Sequence, residues 1–435
     1  MQWLNAGSAG FDAALADLLS VSETNSESVR DAVRQIISAV RSEGDQALVR
    51  LTNQFDGQQV SEMGSLRVSR ERMADACQKI NPITLEALTA SRDRVRAYHQ
   101  QQLQAVGGTS DWSYIDELGN SLGQSVRPME RVGIYAPGGK AAYPSTVIMT
   151  AIPARVAGVQ EIVLCVPTPG GEINEVLLAA AHLCDIDHVF AIGGAQAVAA
   201  MAYGTRSVPP VDKIVGPGNI YVATAKEMVF GQVGIDMIAG PSEVVIVADD
   251  SARAEWLVLD LFAQAEHDEM AQSILISPSQ ALLAQVRDLL PARLAEQSRQ
   301  DIIRESLDRR GALIQVEDLA QAFDVVNRIA PEHLQLVLAS PRDHLGSIRH
   351  AGAIFLGENT TEVVGDYTAG PSHVLPTSGT ARFSSPLGVY DFLVRSSIVE
   401  CSRQGALELN RAAAILAEEE GLDAHAGSAR YRAEG

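Results

Sequence analysis

The sequence has few cysteines and no long apolar run, and both absences restrict the kind of protein it encodes. Its four cysteines among 435 residues are Cys77, Cys165, Cys184 and Cys401, and none belongs to a C-x-x-C pair. A zinc ribbon and a thioredoxin-like redox motif are therefore excluded. The longest apolar runs are interrupted by glycine, proline or charge well before the roughly 20 residues that a transmembrane helix needs. The first residues carry no basic segment followed by an apolar one, so we expect a cytoplasmic protein.

Basic residues are also scarce, which limits the possible partners. The chain has 34 Lys and Arg against 54 Asp and Glu, a net charge of −20, and no block of Lys or Arg. Such a surface repels a phosphate backbone, so we expect no nucleic-acid partner.

The arrangement of apolar residues predicts an α/β fold with parallel sheets. A chain of this length is expected to form two or more lobes. Residues from about 25 to 105 predict consecutive amphipathic helices, the first with an N-cap region at Asn25 and Ser26. After Gly123, short apolar runs alternate with helical stretches, which is typical of βαβ units. The predicted strands are Arg131–Tyr135, Glu161–Val166, His188–Ile192, Lys213–Val215, Glu243–Ala248, Ser273–Ser277, Ala312–Val316, Gln335–Leu338 and Ala353–Leu356. The helices predicted between the first four strands are Ser145–Ala157, Glu172–Cys184 and Ala195–Ala202.

Two α/β lobes with small terminal segments account for this alternation. The predicted division is an N-terminal tail over 1–24, a discontinuous first lobe over 25–134 and 243–385, a second lobe over 135–242 and a C-terminal tail domain over 386–435. In the tail, a helix is predicted from Ala406 to Glu420, ending in Gly421. Because this tail cannot bury much surface alone, we expect it to pack on a lobe or on a partner subunit.

Three glycine-rich loops are candidates for binding an anion or a cofactor. They are Tyr135–Gly139, Gly193–Gln196 and Gly216–Asn219, and each follows a predicted strand and precedes a predicted helix. Free N–H groups and the positive end of a helix dipole suit a pyrophosphate at such a place. None is a G-x-G-x-x-G motif with an acidic residue ~20 positions later. A single loop is equally typical of a tight turn, but three in neighbouring units favour a shared cleft.

Two short strings combine histidine with a carboxylate or an amide. Gln264 and His267 are three residues apart near the end of a predicted helix, so they share a face and suit one metal ion, although a plain polar helix face has the same pattern. In Ala330-Pro331-Glu332-His333, Pro331 suits the first position of a helix. Glu332 and His333 would then be two general bases, or simply two solvated side chains at a capped helix end.

Two further polar stretches lie closer to the C-terminus. The segment Gly365–His373, which contains Asp366, is too polar and glycine-rich for a core, and Glu420 and His425 lie in the tail, where exposure is expected.

Taken in series, these strings resemble the histidinol dehydrogenase family. The segment Ile235–Glu243 followed by Gln264–His267 looks like the family's signature region. Tyr-x-Pro-Gly-Gly, Gly-Gly-Ala-Gln-Ala, Gly-Pro-Gly-Asn, Pro-Glu-His-Leu and Gly-Asp-Tyr-x-x-Gly match in order and spacing, so the resemblance covers nearly the whole chain.

The resemblance implies a role for each matching position. The residues that match zinc ligands are Gln264, His267, Asp366 and His425. The residues that match paired catalytic bases are Glu332 and His333. The residues that match contacts to histidinol are Ser242 and Glu420, together with His333 and the zinc-ligand side chains. The residues that match NAD-binding positions are Tyr135, Gln196 and Asn219.

The resemblance also implies an assembly and a reaction. A homodimer of two incomplete Rossmann-like lobes is expected, with the C-terminal tail reaching into the partner's active site. The implied reaction is the zinc-dependent oxidation of L-histidinol, through L-histidinaldehyde, to L-histidine by two NAD+, the last steps of histidine biosynthesis. One departure is Ser372, which stands where many members have Asn but matches no ligand position.

Three other functions are compatible with parts of the sequence. A related zinc and NAD enzyme would oxidise another small alcohol, such as a sulfonated diol, although the carboxylate of Glu420 favours a cationic substrate. An α/β metal-dependent hydrolase would need an open water position on the metal. A non-enzymatic sensor would bind a metabolite between the lobes without turning it over.

Overall fold

The structure is a computed structural model that describes residues 1–20, 27–138 and 143–434. Asn25, Ser26 and Gly139, which the sequence singled out, lie outside these ranges. The strands are β1 (Gln2–Asn5), β2 (Arg67–Val68), β3 (Trp112–Ile115), β4 (Ser121–Pro128), β5 (Arg131–Tyr135), β6 (Glu161–Cys165), β7 (His188–Phe190), β8 (Lys213–Val215), β9 (Gly234–Ile235), β10 (Glu243–Ala248), β11 (Gln272–Ser277), β12 (Ala312–Gln315), β13 (His333–Val337), β14 (Ala353–Leu356) and β15 (Leu393–Glu400). The helices are α1 (Phe11–Leu19), α2 (Glu27–Glu43), α3 (Asp45–Asp56), α4 (Arg70–Lys79), α5 (Pro82–Ala105), α6 (Pro144–Ala157), α7 (Glu175–Leu183), α8 (Gly194–Tyr203), α9 (Ile220–Val229), α10 (Ala254–Ala265), α11 (Gln280–Leu294), α12 (Gln300–Arg310), α13 (Leu319–Ile329), α14 (Glu362–Tyr367), α15 (Arg403–Glu419) and α16 (Asp423–Glu434).

Two six-stranded sheets form the frame of the described chain. Sheet I has the spatial order β2-β7-β6-β5-β8-β9, and sheet II has the order β1-β12-β11-β10-β13-β14. All neighbours are parallel except β2, which pairs antiparallel with β7. Counted from β5 in sheet I and from β10 in sheet II, both sheets have the strand order 3-2-1-4-5 of a Rossmann-like unit. The predicted fold of two incomplete Rossmann-like lobes is confirmed.

The central strands are apolar because helices cover both faces of each sheet. In β10, Val245 and Val247 pack into one core of sheet II, while Val244 and Ile246 pack into the core on the opposite face. A parallel strand buried on both faces gives a nearly continuous apolar run, which is why the sequence located these strands well. Helix α6 is buried around most of its surface, since it lies between sheet I and helices α5 and α7.

The predicted grouping of residues 25–134 with 243–385 is wrong. Helices α2 and α3 pack on α8, α4 packs on α7, and α5 packs on α6, so all four cover sheet I. The apolar face of α2, with Val33 and Val40, joins the core around Phe190 of sheet I. The segment Arg131–Tyr135 is itself a central strand of sheet I. Strand β1, from the predicted N-terminal tail, is an edge strand of sheet II.

The C-terminal region forms a small unit outside both sheets. Strand β15 pairs antiparallel with β4, which pairs with β3, and helices α15 and α16 pack on each other. The predicted helix at Ala406–Glu420 is α15, which begins three residues earlier, at Arg403, and is followed by Gly421 with φ +73°. No helix in the described ranges combines the length and apolarity needed to cross a membrane.

Candidate functional site

The three glycine-rich loops follow strands β5, β7 and β8 at the carboxyl edge of sheet I. Tyr135 is the last residue of β5, Gln196 lies in the first turn of α8, and Asn219 is the N-cap of α9. The backbone N–H of Gly194 donates to the hydroxyl oxygen of Tyr135 at 3.1 Å, which ties two of the loops together. Helix N-termini at this edge face the place where open α/β sheets bind ligands.

Gly216 brings the third loop against the first. Its φ is +108°, and a Cβ at this position would overlap the carbonyl oxygen of Tyr135, so only glycine fits. Three residues later, the side chain of Asn219 accepts hydrogen bonds from the backbone N–H groups of Tyr221 and Val222 at 3.1 and 3.2 Å. Gln196 is buried, and its Oε1 has no hydrogen-bond partner in the described part of the chain. The three predicted NAD-binding residues therefore lie on adjoining loops.

A second cluster lies at the amino edge of sheet II. Glu332 precedes β13, His333 is its first residue, and Glu243 is the first residue of β10. The predicted helix start at Pro331 is wrong, because α13 ends at Ile329, its C-cap Ala330 has a left-handed conformation (φ +51°), and the chain then enters β13. Glu332 and His333 are 6% and 5% exposed, so they are not solvated side chains at a helix end.

The backbone of Glu243 holds both predicted catalytic bases. Its N–H donates to Oε2 of Glu332 at 2.8 Å, and its carbonyl oxygen lies 3.0 Å from Nδ1 of His333. Because a carbonyl only accepts, Nδ1 carries the proton and Nε2 is the position that can act as a base. Nε2 lies 3.7 Å from Oδ1 of Asp366. The imidazole is thereby held with its Nδ1 on Glu243 and its Nε2 toward Asp366.

Burial and neighbouring carboxylates perturb the titration of this cluster. Burial raises the pKa of Glu332 to about 8, and His333 only partly opposes that rise. Burial also raises the pKa of Glu243 to about 7, although Arg310 opposes this. For His333, burial lowers the pKa, but the surrounding carboxylates, chiefly Glu332, outweigh it and raise the pKa to about 10. Such shifts are typical of acid–base sites.

Three of the four predicted zinc ligands adjoin this cluster. Gln264 lies in the last turn of α10, His267 follows two residues after its end, and Asp366 lies in α14. The pKa of His267 is lowered, first by burial and against the charge of Asp366, which favours the neutral imidazole that binds metals. The pKa of Asp366 is lowered despite burial, mainly because of His333. We call Gln264, His267 and Asp366 the ligand trio.

Glu362 orients the Gln264 amide. The amide end of Gln264 faces the two carboxylate oxygens of Glu362 at 3.2 and 3.3 Å, where only its nitrogen can donate. With the nitrogen in that position, the amide oxygen is left for another partner. Glu362 is 2% exposed and lies one helical turn before Asp366.

The predicted ligand His425 and the predicted substrate contact Glu420 lie elsewhere in the chain. Glu420 is the C-cap of α15, His425 lies in the first turn of α16, and both are exposed. Within the described residues, no group of three or more His, Cys, Asp or Glu side chains is arranged to hold a metal ion. The ligand trio does not count as such a group, because it contains only one histidine and one carboxylate besides the amide of Gln264. One chain thus brings together three of the four predicted ligands.

Other polar residues complete the surroundings of the cluster. Ser242, the predicted substrate contact, is half-buried next to Glu243, and its carbonyl accepts from Gln272 N–H at 2.9 Å. Nδ1 of His373 lies 3.0 Å from the carbonyl oxygen of Asp366, and this contact ties the segment around His373 to α14. Ser372, the departure noted above, donates from its hydroxyl to the carbonyl of Met149 at 3.0 Å.

Sequence reasoning assigned no roles to Glu243 and Glu362. The sequence contains a weak signal for each of them. Glu243 is a charged residue at the start of an otherwise apolar strand, and Glu362 stands four residues before Asp366, on the same face of a helix.

Two Rossmann-like sheets, with glycine-rich loops on one and a buried histidine–carboxylate pair on the other, define a two-lobed α/β protein of the kind that binds a ligand at its loops and carries acid–base groups. A sequence model described as histidinol dehydrogenase matches residues 19–433. Histidinol dehydrogenases of Pseudomonas aeruginosa and Pseudomonas savastanoi pv. phaseolicola are 58% and 57% identical over 429 residues, covering 99% of this chain and 96% and 95% of theirs. The crystal structure of histidinol dehydrogenase from Elizabethkingia anophelis superposes with a TM-score of 0.91 at 30% identity, covering 99% of this chain and 98% of that one. The chain belongs to the histidinol dehydrogenase family, and the resemblance is confirmed.

Proposed function

We propose that the protein oxidises L-histidinol, through L-histidinaldehyde, to L-histidine with two NAD+ and a bound zinc ion. The observation that carries this proposal is the position of His333, whose Nε2 faces Asp366 of the ligand trio while its Nδ1 is held by Glu243. A base beside a metal site suits the removal of a proton from a metal-held alcohol. Oxidation of an alcohol to an acid removes four electrons, so two hydride acceptors are needed.

The ligand trio would hold the zinc ion together with His425 of the partner subunit. Imidazole, carboxylate and amide oxygen are donors that suit zinc, and the lowered pKa values of His267 and Asp366 keep both in their metal-binding forms. The free amide oxygen of Gln264 is the third donor. When bound, zinc would supply a cation that helps to orient the substrate and opposes protonation of His333. Four protein ligands differ from the open three-ligand set of hydrolytic zinc sites, which disfavours the hydrolase alternative.

His333 and Glu332 divide the proton transfers between them. In the first oxidation, Nε2 of His333 takes the alcohol proton while hydride passes to NAD+. The aldehyde is then hydrated: Glu332 accepts a proton from the attacking water, and protonated His333 returns its proton to the carbonyl oxygen, which restores its basic Nε2. In the second oxidation, His333 takes the hydroxyl proton of the hydrate while hydride passes to the second NAD+. Glu243 keeps both bases in place throughout, since its backbone bonds to each of them.

The adjoining loops at Tyr135, Gln196 and Asn219 would bind NAD+. Oε1 of buried Gln196, which has no hydrogen-bond partner among the described residues, would accept from the cofactor, and the start of α9 favours its phosphates. Neither feature depends on the zinc site.

The C-terminal unit would complete the site of a second subunit in a homodimer. Exposed His425 and Glu420 supply a ligand and a carboxylate that the trio lacks within one chain. A carboxylate at Glu420 suits the cationic groups of histidinol better than a sulfonate. The expected cytoplasmic location stays a prediction.

A spectrophotometric assay tests the proposed function. The purified protein with L-histidinol and NAD+ should produce two NADH per histidine, and a zinc chelator should abolish the reaction until zinc is restored. A parallel assay uses a sulfonated diol of similar size. NADH formation from the diol alone would favour the related alcohol dehydrogenase, and no NADH from either substrate would refute the proposal.

A further inference from the structure

Lys226 and Asp236 form a buried ion pair beneath the third glycine-rich loop. Their side chains are 2% and 1% exposed. The ammonium of Lys226 donates to the carbonyl oxygen of Gly216 at 2.9 Å, and the N–H of Gly216 donates to Oδ2 of Asp236 at 2.8 Å. The pair therefore holds both polar groups of the glycine that brings the loop against Tyr135.

The same pair also fixes the start of the segment that leads to sheet II. Oδ1 of Asp236 accepts from the N–H of Met237 at 2.7 Å, and the N–H of Asp236 donates to the carbonyl of Ile214 at 3.3 Å. From Asp236 the chain continues to Ser242 and Glu243, which adjoin the acid–base cluster. One charge pair thus connects the loop of sheet I with the segment that supplies the cluster of sheet II.

Formation of the tight turn at Gly216 does not by itself require two buried charged side chains. Taking an ammonium and a carboxylate out of water carries a desolvation cost that an apolar pair avoids, and a buried pair is weak evidence for added stability. Gly216 has no side chain that could fix its loop by packing, so hydrogen bonds to its backbone must do so. A lysine and an aspartate that pair with each other satisfy its carbonyl and its N–H together.

We propose that Lys226 and Asp236 are positioning residues that hold the Gly216–Asn219 loop in the geometry that binds NAD+. This rests on the proposed function, which assigns that loop to NAD+. Neither side chain needs to touch the cofactor, because both act through the backbone of Gly216. Removing either partner leaves an unpaired buried charge and frees one polar group of the loop.

The test compares Asp236→Asn and Lys226→Met with Glu227→Gln as a matched control. Glu227 is the next residue on α9, and its half-buried carboxylate pairs with Arg30 away from the loop. We expect the KM for NAD+ to rise roughly tenfold in the first two variants, because a small misplacement of a binding group is costly. The kcat and the KM for histidinol should change less than threefold, and Glu227→Gln should match the wild type.

Direct binding of NADH separates this inference from the proposed function. A fluorescence titration of the holoenzyme with NADH alone needs no turnover of histidinol, so weaker NADH binding in Asp236→Asn would support the inference even if histidinol were not the substrate. An unchanged Kd for NADH, or an equal rise in the KM of both substrates, would overturn it. If the single variants fail to fold, the apolar double variant Lys226→Met with Asp236→Leu serves instead, because it can bond to neither polar group of Gly216; wild-type NADH affinity in that variant would also overturn the inference.

Discussion

Glu332 and His333 are adjacent in sequence and remain close in the structure, since Nδ1 of His333 lies 3.6 Å from Oε2 of Glu332. Each nevertheless has a further partner of its own. His333 turns its Nε2 toward Asp366, whereas the carboxylate of Glu332 bonds to the N–H of Glu243. Two neighbouring residues can therefore serve as bases for two different protons, one from the alcohol and one from water.

Glu332→Gln should slow the second oxidation more than the first. The amide keeps an oxygen that accepts from Glu243 N–H but cannot take a proton from water, and loss of such a base costs about 100-fold or more. Single-turnover measurements started from histidinol and from histidinaldehyde separate the two oxidations. An equal loss in both would contradict the role given to Glu332.

The second oxidation should also depend on pH through Glu332. Burial raises the pKa of its carboxyl to about 8, and a base acts in its ionised form, so the rate should fall as the pH drops below about 8. The pH profile of histidinaldehyde oxidation is the measurement, and Glu332→Gln is the control that should lose this dependence. A wild-type rate that stays constant from pH 6 to 9, a span of about one unit or more on either side, would count against Glu332 as the base.

At the residue scale the sequence selected the proposed catalytic residues but not the residues that hold them. Motif order was enough to select Glu332, His333 and Asp366. Glu243 and Glu362 were missed because each acts through a partner distant in the chain, His333 for one and Gln264 for the other. The error at Pro331 arose because proline suits a helix start in general, while here the pairing of β13 with two neighbouring strands decides the local structure.

Among the elements, helix α9 combines a structural and a binding role at its first turn. The side chain of Asn219 caps the helix by accepting from two backbone N–H groups. A capping residue is itself exposed at the positive end of the helix dipole, where a pyrophosphate would lie. The same position thus stabilises the helix and faces the proposed cofactor.

Substitutions at Asn219 should separate these roles. Asn219→Ala removes the cap and should lower the free energy of unfolding by about 1 kcal/mol, whereas Asn219→Ser keeps a capping oxygen and should stay close to wild type. Both variants should raise the KM for NAD+, because both lose the amide. Denaturant unfolding and steady-state kinetics are the measurements. A normal KM for NAD+ in both would leave Asn219 as a cap only.

Strands were predicted better than the positions of helices. A parallel strand buried on both faces is apolar throughout, so the sequence marks it directly. An amphipathic helix such as α2 shows which of its faces is buried, but not which sheet buries it. Helices α2 to α5 were therefore recognised as helices and assigned to the wrong lobe.

For the whole molecule, the two sheets share one strand order but use opposite edges. The glycine-rich loops proposed to bind NAD+ lie at the carboxyl ends of sheet I, as expected for open α/β sheets, while the cluster around Glu332 and His333 lies at the amino ends of β10 and β13 in sheet II. Bringing a cofactor to a substrate then requires these two edges to face one another. No local pattern encodes that arrangement, because it depends on how distant segments pack.

The position of the C-terminal unit in the whole molecule also bears on the proposed zinc site. It carries exposed His425 and Glu420, and its residues form no metal-binding group with the ligand trio within the described chain. The proposed sharing of a site between subunits would explain why a predicted zinc ligand lies on an exposed helix.

Complementation between two inactive variants tests this shared site most directly. His333→Ala and His425→Asn are co-expressed with different affinity tags, and zinc content and histidinol oxidation are measured after purification through both tags. If the tail of one subunit completes the site of the other, each mixed dimer has one site with both substitutions and one with neither. The mixed dimers should then recover about half of the wild-type activity and zinc, while each variant alone stays inactive. Mixed dimers as inactive as the parents would contradict the shared site and place His425 outside the partner's active centre.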